Sequence, residues 1–73
     1  MQLEERQFLV SLGGRVRDLR KSRALSQKEV AALCNSEKAN LCRIESGKTN
    51  PTIVTIRKLA EALQVSLAEI MLS

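Results

Sequence analysis

Residues that start and stop helices recur at short intervals along this chain, and they constrain its fold more than any other feature. Ser26 and Glu29 have the spacing of a capping box, and Ser66 and Glu69 repeat it. In a capping box the hydroxyl and the carboxylate each bind a backbone amide at a helix N-terminus. Asn35 tolerates the left-handed conformation that a sharp turn after a helix needs. These signals predict short helices joined by tight turns.

Between these signals, apolar residues recur at the spacing of amphipathic helices. We expect Gly47 to end the third helix, and Asn50 to cap the fourth with Pro51 in its first turn. The expected helices are about Leu3 to Lys21, about Gln27 to Asn35, about Glu37 to Glu45, one through Ile53, Ile56, Leu59, Ala60 and Leu63, and a short one through Leu67, Ile70 and Met71. In the first helix the apolar positions are Phe8, Leu9, Leu12, Val16 and Leu19.

The composition supports an all-α fold with an aliphatic core. Hydrophobic residues make up 44% of the 73 residues, but Phe8 is the one aromatic side chain. Aliphatic residues suit packed helices better than a sheet, where aromatic and β-branched residues are favoured. We therefore expect one compact five-helix domain over 1–73, with 1–13 as an extension of the first helix. Gly13 and Gly14 inside that helix indicate either a hinge or a close approach of another backbone.

Several functional classes are disfavoured by what the chain lacks. There is no histidine, and Cys34 and Cys42 lie eight residues apart, which is not a usual zinc spacing. The sequence has neither a glycine-rich phosphate loop nor an evident pair of carboxylates, so nothing in it indicates an enzyme. We expect no cofactor, metal or small-molecule ligand. No apolar run is long enough for a membrane span or an export signal, so a cytoplasmic location is expected.

The positive charge is concentrated in the middle of the chain. The net charge is +4, and residues 15–48 carry nine basic and four acidic side chains, a local charge of +5. A basic region with nearly neutral flanks is typical of nucleic-acid-binding proteins, although a solvated basic surface would give the same charge.

Helices two and three are adjacent and joined by only a few residues, so they should cross steeply and leave one face of helix three projecting. With Leu41 and Ile44 buried, we expect that face to carry Ala39, Cys42, Arg43 and Ser46, with Lys38 and Asn40 on its flanks. Arginine and lysine pair with guanine and asparagine with adenine in the major groove. This combination favours DNA recognition over an ordinary solvated helix face.

The stretch from Gly14 to Leu72 resembles the lambda-repressor-like helix-turn-helix family of Cro, cI and XRE-type regulators. The resemblance covers about four-fifths of the chain, in order and at the spacing of the family. The residues that carry it are Arg17-Asp18-Leu19-Arg20-Lys21, Leu25-Ser26-Gln27-Lys28-Glu29-Val30-Ala31, Leu41-Cys42-Arg43-Ile44-Glu45-Ser46-Gly47-Lys48, Pro51-Thr52-Ile53 and Leu59-Ala60-Glu61-Ala62-Leu63-Gln64-Val65-Ser66.

The resemblance implies a role for several of the matching residues. Gln27 would bind a phosphate and brace the recognition helix, and Ala31 would be the small residue where helices two and three cross. Arg20 and Glu45 match a family ion pair between helix one and the end of helix three, which we expect to be bidentate. The positions implied to read bases are Lys38, Ala39 and Arg43, with Asn40 beside them, and those implied to contact phosphates are Lys48 and Thr49.

Three residues depart from the family pattern. Asn35 replaces the commoner glycine at the turn. Glu37 stands where many relatives cap with serine or threonine, and it could accept from a cytosine or repel a phosphate. Cys42 lies on the face expected to meet DNA, either as a small residue fitting close to it or, less favoured, as a thiol whose oxidation blocks binding. Cys34 is expected to be an inert core residue.

These observations predict a sequence-specific regulator of transcription that binds double-stranded DNA as a homodimer on a two-fold-symmetric operator. The expected setting is a bacterial or phage-type cytoplasm, on the nucleoid. The first candidate for the dimer contact is helix five, with Leu67, Ile70, Met71 and Leu72, although these residues could instead close the core. The second is the extension around Phe8 and Leu9. The alternative function is a helix-turn-helix module that docks another protein.

Overall fold

The computed structural model describes residues 3–71, which form five α-helices and no strand. The all-helical architecture predicted from the sequence is therefore confirmed. The helices, in chain order, are α1 Leu3–Ser22, α2 Gln27–Leu33, α3 Lys38–Glu45, α4 Ile53–Leu63 and α5 Leu67–Met71.

Both predicted capping boxes form. The Ser26 hydroxyl accepts from the Glu29 amide at 3.0 Å, and the Glu29 carboxylate accepts from the Ser26 amide at 3.0 Å. The same exchange joins Ser66 and Glu69 at 3.2 and 3.4 Å. These bonds satisfy amides that a helix N-terminus leaves without partners.

The turns after α1 to α4 each contain a residue in the left-handed backbone conformation. Asn35 has φ 53° and Gly47 has φ 74°, as predicted for the residues that follow α2 and α3. Ala24 and Gln64 also have positive φ, at 57° and 56°. Alanine has no special tolerance for this conformation, so the sequence gives no signal for the turn at Ala24.

The predicted start of α4 was wrong. Thr52, not Asn50, is the N-cap: its hydroxyl accepts from the Thr55 amide at 3.2 Å, and α4 begins at Ile53. Pro51 therefore lies before the helix, not in its first turn. Threonine is also a good capping residue, and its hydroxyl is placed to reach the amide three positions on.

Two boundaries around the turn also shift. α2 ends at Leu33 with Cys34 as its C-cap, before the predicted Asn35. Glu37 is the N-cap of α3 and has extended backbone angles, so the helix begins at Lys38. Its carboxylate makes no capping hydrogen bond, because a glutamate side chain is longer than the preferred caps.

The core is aliphatic and draws on all five helices. The buried hydrophobic residues are Leu9, Leu12, Val16, Val30, Ala31, Cys34, Leu41, Ile44, Ile56, Leu59, Ala60, Leu63 and Ile70. Three residues expected on core-facing stripes are exposed instead: Phe8 at 48%, Ile53 at 58% and Leu67 at 38%. Ile53 and Leu67 are the first residues of their helices, and Phe8 lies at the edge of the apolar stripe beside the buried Leu9.

The two glycines of α1 have different roles. A Cβ on Gly13 would lie 2.2 Å from the Ile44 carbonyl oxygen and 2.7 Å from that of Glu45, whereas a Cβ on Gly14 would meet nothing within 4 Å. The helix runs unbroken through both. Of the two readings left open by the sequence, the close approach is correct, and Gly13 permits it.

Helix α5 closes the core against α1 and α4. Ile70 is fully buried, and the Arg15 guanidinium donates to the Glu69 carbonyl at 2.7 Å. Leu72, predicted with helix five to form the dimer contact, lies outside the described residues. Within 3–71, no helix combines the length and apolar character that crossing a membrane requires.

Candidate nucleic-acid interface

Helix α3 packs on α1 and α2 through one face and leaves the other exposed. Leu41 and Ile44 are buried, as predicted. Helices α2 and α3 meet at a four-residue connection, 34–37, and Ala31 beneath it is 3% exposed. The residues predicted to contact DNA from this helix and its cap are all exposed: Glu37, Lys38, Ala39, Asn40, Cys42 and Arg43.

Two of the exposed polar side chains are hydrogen-bonded to each other. The Arg43 guanidinium donates to the Asn40 side-chain oxygen, and the Asn40 amide nitrogen donates to the Ser36 hydroxyl at 3.4 Å. Residues three apart on a helix are neighbours, which explains the contact. Arg43 is thereby oriented along the exposed face, with donors of its guanidinium left over for another acceptor.

A buried polar network fixes the end of α3 to the rest of the fold. Arg20 donates to both carboxylate oxygens of Glu45, at 2.7 and 3.1 Å, and each residue is only 8% exposed. Gln27 donates to the same carboxylate at 3.0 Å, and Arg20 also donates to the Leu25 carbonyl at 2.9 Å. The structure thus joins α1, α2 and α3 at one carboxylate, in the bidentate geometry that arginine favours.

One end of this network opens on a basic surface. Arg17 and Lys21 line a concave region together with Gln27, Cys42 and Ser46, above the Arg20–Glu45 pair. No role was predicted for Arg17 or Lys21, although their four-residue spacing on α1 places both on one face. Gln27 is half-buried here, with its amide nitrogen held by Glu45 and its carbonyl free to accept.

The loop after α3 lies on the other side of the exposed face. Lys48 is exposed and Thr49 is half-buried, and the Lys48 amide donates to the Arg43 carbonyl at 2.9 Å. Gly47 permits this turn through its positive φ and packs closely on α1, since a Cβ there would lie 2.7 Å from a Val10 methyl carbon. The loop is therefore held against both α1 and α3.

The two cysteines occupy opposite environments. Cys34 is buried, and burial raises the pKa of its thiol; the positive charge of Lys58 opposes this rise and the negative charge of Glu61 adds to it. Cys42 is exposed on α3. The described residues contain no group of three or more His, Cys, Asp or Glu side chains that could hold a metal ion.

The chain matches the HTH_3 family, described as Helix-turn-helix, over residues 16–70. It is 37% identical over 59 residues to the uncharacterized HTH-type transcriptional regulator y4dJ of Sinorhizobium fredii, covering 81% of this chain and 77% of that protein. It is 41% identical over 56 residues to the HTH-type transcriptional repressor RghR of Bacillus subtilis, covering 75% of this chain and 42% of RghR.

Solved structures show the same arrangement of helices. The restriction-modification controller protein C.AhdI from Aeromonas hydrophila superposes with a TM-score of 0.83 at 37% identity, covering 85% of this chain and 94% of that one. An HTH_3 family transcriptional regulator from Vibrio cholerae gives 0.85 at 36% identity, covering 90% of this chain and 37% of that one. With its sequence match extending from the end of α1 into α5, the chain belongs to the HTH_3, or XRE-type, family of helix-turn-helix DNA-binding transcriptional regulators.

Proposed function

We propose that this protein is a sequence-specific regulator that places α3, with its cap at Glu37, in the major groove of double-stranded DNA. The observation that carries the proposal is the exposed polar face of α3 on a helix anchored by the buried Arg20–Glu45–Gln27 network. A reading helix must be held at one angle, because base-edge hydrogen bonds tolerate little displacement.

Base recognition comes from the exposed face of α3. Arg43 suits the O6 and N7 acceptors of guanine, and Lys38 is a second cation for the same acceptors. Asn40 positions Arg43 or pairs with adenine. Ala39 and Cys42 are small enough to lie against a thymine methyl group, and the Glu37 carboxylate can accept from the amino group of cytosine.

Phosphate contacts flank the reading helix on both sides. Gln27, with Arg17 and Lys21 around the same concave surface, binds the backbone on one side. Lys48 and Thr49 bind it on the other. Such contacts set the register of the protein on the duplex and contribute most of the salt-dependent affinity.

The active species is a homodimer, because one short helix makes few base contacts. Symmetry then predicts an operator with half-sites about 34–36 Å apart on one face of the DNA. Of the residues that the sequence offered for the contact, Leu9 and Ile70 are buried in the protomer, whereas Phe8 and Leu67 are exposed. The larger apolar exposure lies at the adjacent side chains of Ile53 and Val54, each 58% exposed at the start of α4, and there we place the centre of the interface. The regulator acts in the cytoplasm, where its operator lies.

Two substitutions separate base reading from phosphate binding. On a duplex recovered by selection from random DNA, Arg43→Ala should weaken the binding free energy by about 1–3 kcal/mol and relax specificity at one base position. Lys48→Ala should weaken binding to every sequence by a similar factor. Arg57→Ala, on α4 and paired with Glu61 at 3.2 Å, is the control and should change neither. If Arg43→Ala behaves like Arg57→Ala, α3 does not read DNA.

A further inference from the structure

The N-terminal part of α1 brings a basic residue to the loop that follows the reading helix. Arg6 lines a concave surface together with Ser46, Gly47 and Lys48. Arg6 lies outside the region 16–70 that matches the family, and no role was assigned to it from the sequence. The surface therefore combines a feature of this chain's extension with the loop proposed to contact phosphate.

The backbone that carries Arg6 is positioned by the packing of α1 on the core and on this loop. Val10, one turn further along α1, is pressed against Gly47, as the 2.7 Å separation from a Cβ on that glycine shows. Leu9 is buried in the core at 5% exposure. Residues four apart lie on one face of a helix, so Arg6 stands over the same loop as Val10.

The charge of this surface is not neutralised within the described residues. Ion pairs between side chains of residues 3–71 join Arg20 to Glu45 and Arg57 to Glu61 and involve neither Arg6 nor Lys48. The nearest acidic residues in sequence, Glu4 and Glu5, line a different concave surface with Phe8, Leu9 and Asn50. A guanidinium and an ammonium facing one open surface suit an oxyanion carrying several acceptor oxygens.

We propose that the extension of α1 is part of the DNA-binding surface, with Arg6 and Lys48 together binding the phosphodiester backbone beside the half-site. The inference rests on the proposed function, because it assumes that α3 approaches DNA. It adds a backbone contact from outside the helix-turn-helix region, so the extension contributes affinity without sequence preference.

The test is the salt dependence of binding to a generic mixed-sequence duplex about two helical turns long, with the full chain and no operator required. Each phosphate neutralised contributes about 0.9 to the slope of log affinity against log salt. Arg6→Gln and Lys48→Gln should each reduce the slope by about that amount, and Arg6→Lys should retain it. Arg57→Gln is the charge-matched control, and thermal unfolding verifies that each variant folds.

The outcomes separate this inference from the function beneath it. Wild type that binds no DNA overturns both. If the wild type binds and Lys48→Gln reduces the slope, but Arg6→Gln gives the same slope as Arg57→Gln, the contact by Arg6 is overturned. The proposed function, DNA binding through α3, is then unaffected. A reduced slope for Arg6→Gln at an unchanged melting temperature supports the contact.

Discussion

At the scale of single residues, the fold depends on one buried carboxylate. Glu45 accepts from Arg20 twice and from Gln27 once, and these three residues come from three helices. A buried ion pair adds little net stability when intact, because desolvation offsets the attraction. Removing only one of the two partners is costly, because the remaining charge stays buried and has lost the attraction that offset its desolvation. We infer that the pair sets the angle of α3 more than it raises the stability.

Glu45→Gln should therefore destabilise the protein by about 3–5 kcal/mol, because it strands the Arg20 guanidinium in the interior. DNA affinity should fall as well, since α3 loses its anchor. The measurement is urea unfolding together with binding to the selected duplex. Glu61→Gln, which breaks the exposed pair with Arg57, is the matched control and should cost about 0–1 kcal/mol. Equal losses in the two variants would contradict the role of the network.

The two thiols should differ in reactivity. Burial raises the pKa of Cys34, so less of it is thiolate at a given pH, and its sulfur is shielded. A disulfide-exchange reagent at mildly alkaline pH should label Cys42 in the native protein and Cys34 only on unfolding. The variant Cys42→Ser should show only the slow labelling of Cys34. Rapid labelling of both thiols would contradict the burial of Cys34.

The pKa shift of Cys34 also links stability to pH. Because the folded pKa is raised, Cys34 contributes stability below its unfolded pKa, and this contribution is lost as pH rises through the folded pKa.

At the scale of elements, the sequence predicted what local chemistry determines and missed what packing determines. The boxes at Ser26 and Ser66 formed because a hydroxyl and a carboxylate three residues apart satisfy each other's amides without help from the rest of the chain. Asn50 and Thr52 are both of a residue type that caps helices, and Thr52 is the cap of a helix whose first buried residue is Ile56. Ile53 continued an apolar period but lies beyond the packed region, so periodicity alone could not show its exposure.

The site shows the same division. The positions of Lys38, Asn40 and Arg43 on the outer face of α3 follow from helical geometry once Leu41 and Ile44 are buried. The bond between Asn40 and Arg43, and the meeting of Arg6 with Lys48 at one surface, depend on how helices and loops pack. Nothing in the spacing of Arg6 and Lys48 along the chain reveals their proximity.

The close crossing of α1 and α3 predicts opposite effects on stability when either of two neighbouring glycines is replaced by alanine. Gly13→Ala should destabilise the protein by about 1–3 kcal/mol, because its Cβ would overlap the backbone carbonyls of Ile44 and Glu45. Gly14→Ala should stabilise it by up to about 1 kcal/mol, since alanine favours a helix and its Cβ meets nothing. Thermal unfolding of the two variants under one condition gives the comparison. Shifts of the melting temperature in the same direction would contradict the close approach.

At the scale of the whole molecule, a domain of 73 residues has a small core, and a partner copy would add to its stability. A domain of this size buries only about 60% of the surface that its unfolded chain exposes. Dimerisation links stability to concentration by mass action. The proposed contact through Ile53 and Val54 would thus serve both operator binding and folding.

The melting temperature of the wild type should accordingly rise with protein concentration, and sedimentation should show a dimer. Replacing Ile53 and Val54 together by serine should remove both effects, because it takes the exposed apolar surface from the interface. Leu33→Ser, at another exposed apolar residue on α2, is the control and should leave the dimer intact. A concentration-independent melting temperature and a monomer in sedimentation would contradict the homodimer.

The most direct test of the central claim is selection of bound duplexes from a random DNA library at near-physiological salt, followed by sequencing. A dimer that reads DNA with α3 predicts enrichment of a two-fold-symmetric motif whose half-site centres lie about 34–36 Å apart. The enriched motif should lose its strongest position when Arg43→Ala replaces the wild type. Recovery of unenriched DNA by the folded protein would contradict sequence-specific recognition, and the exposed face of α3 would then be a surface for another protein.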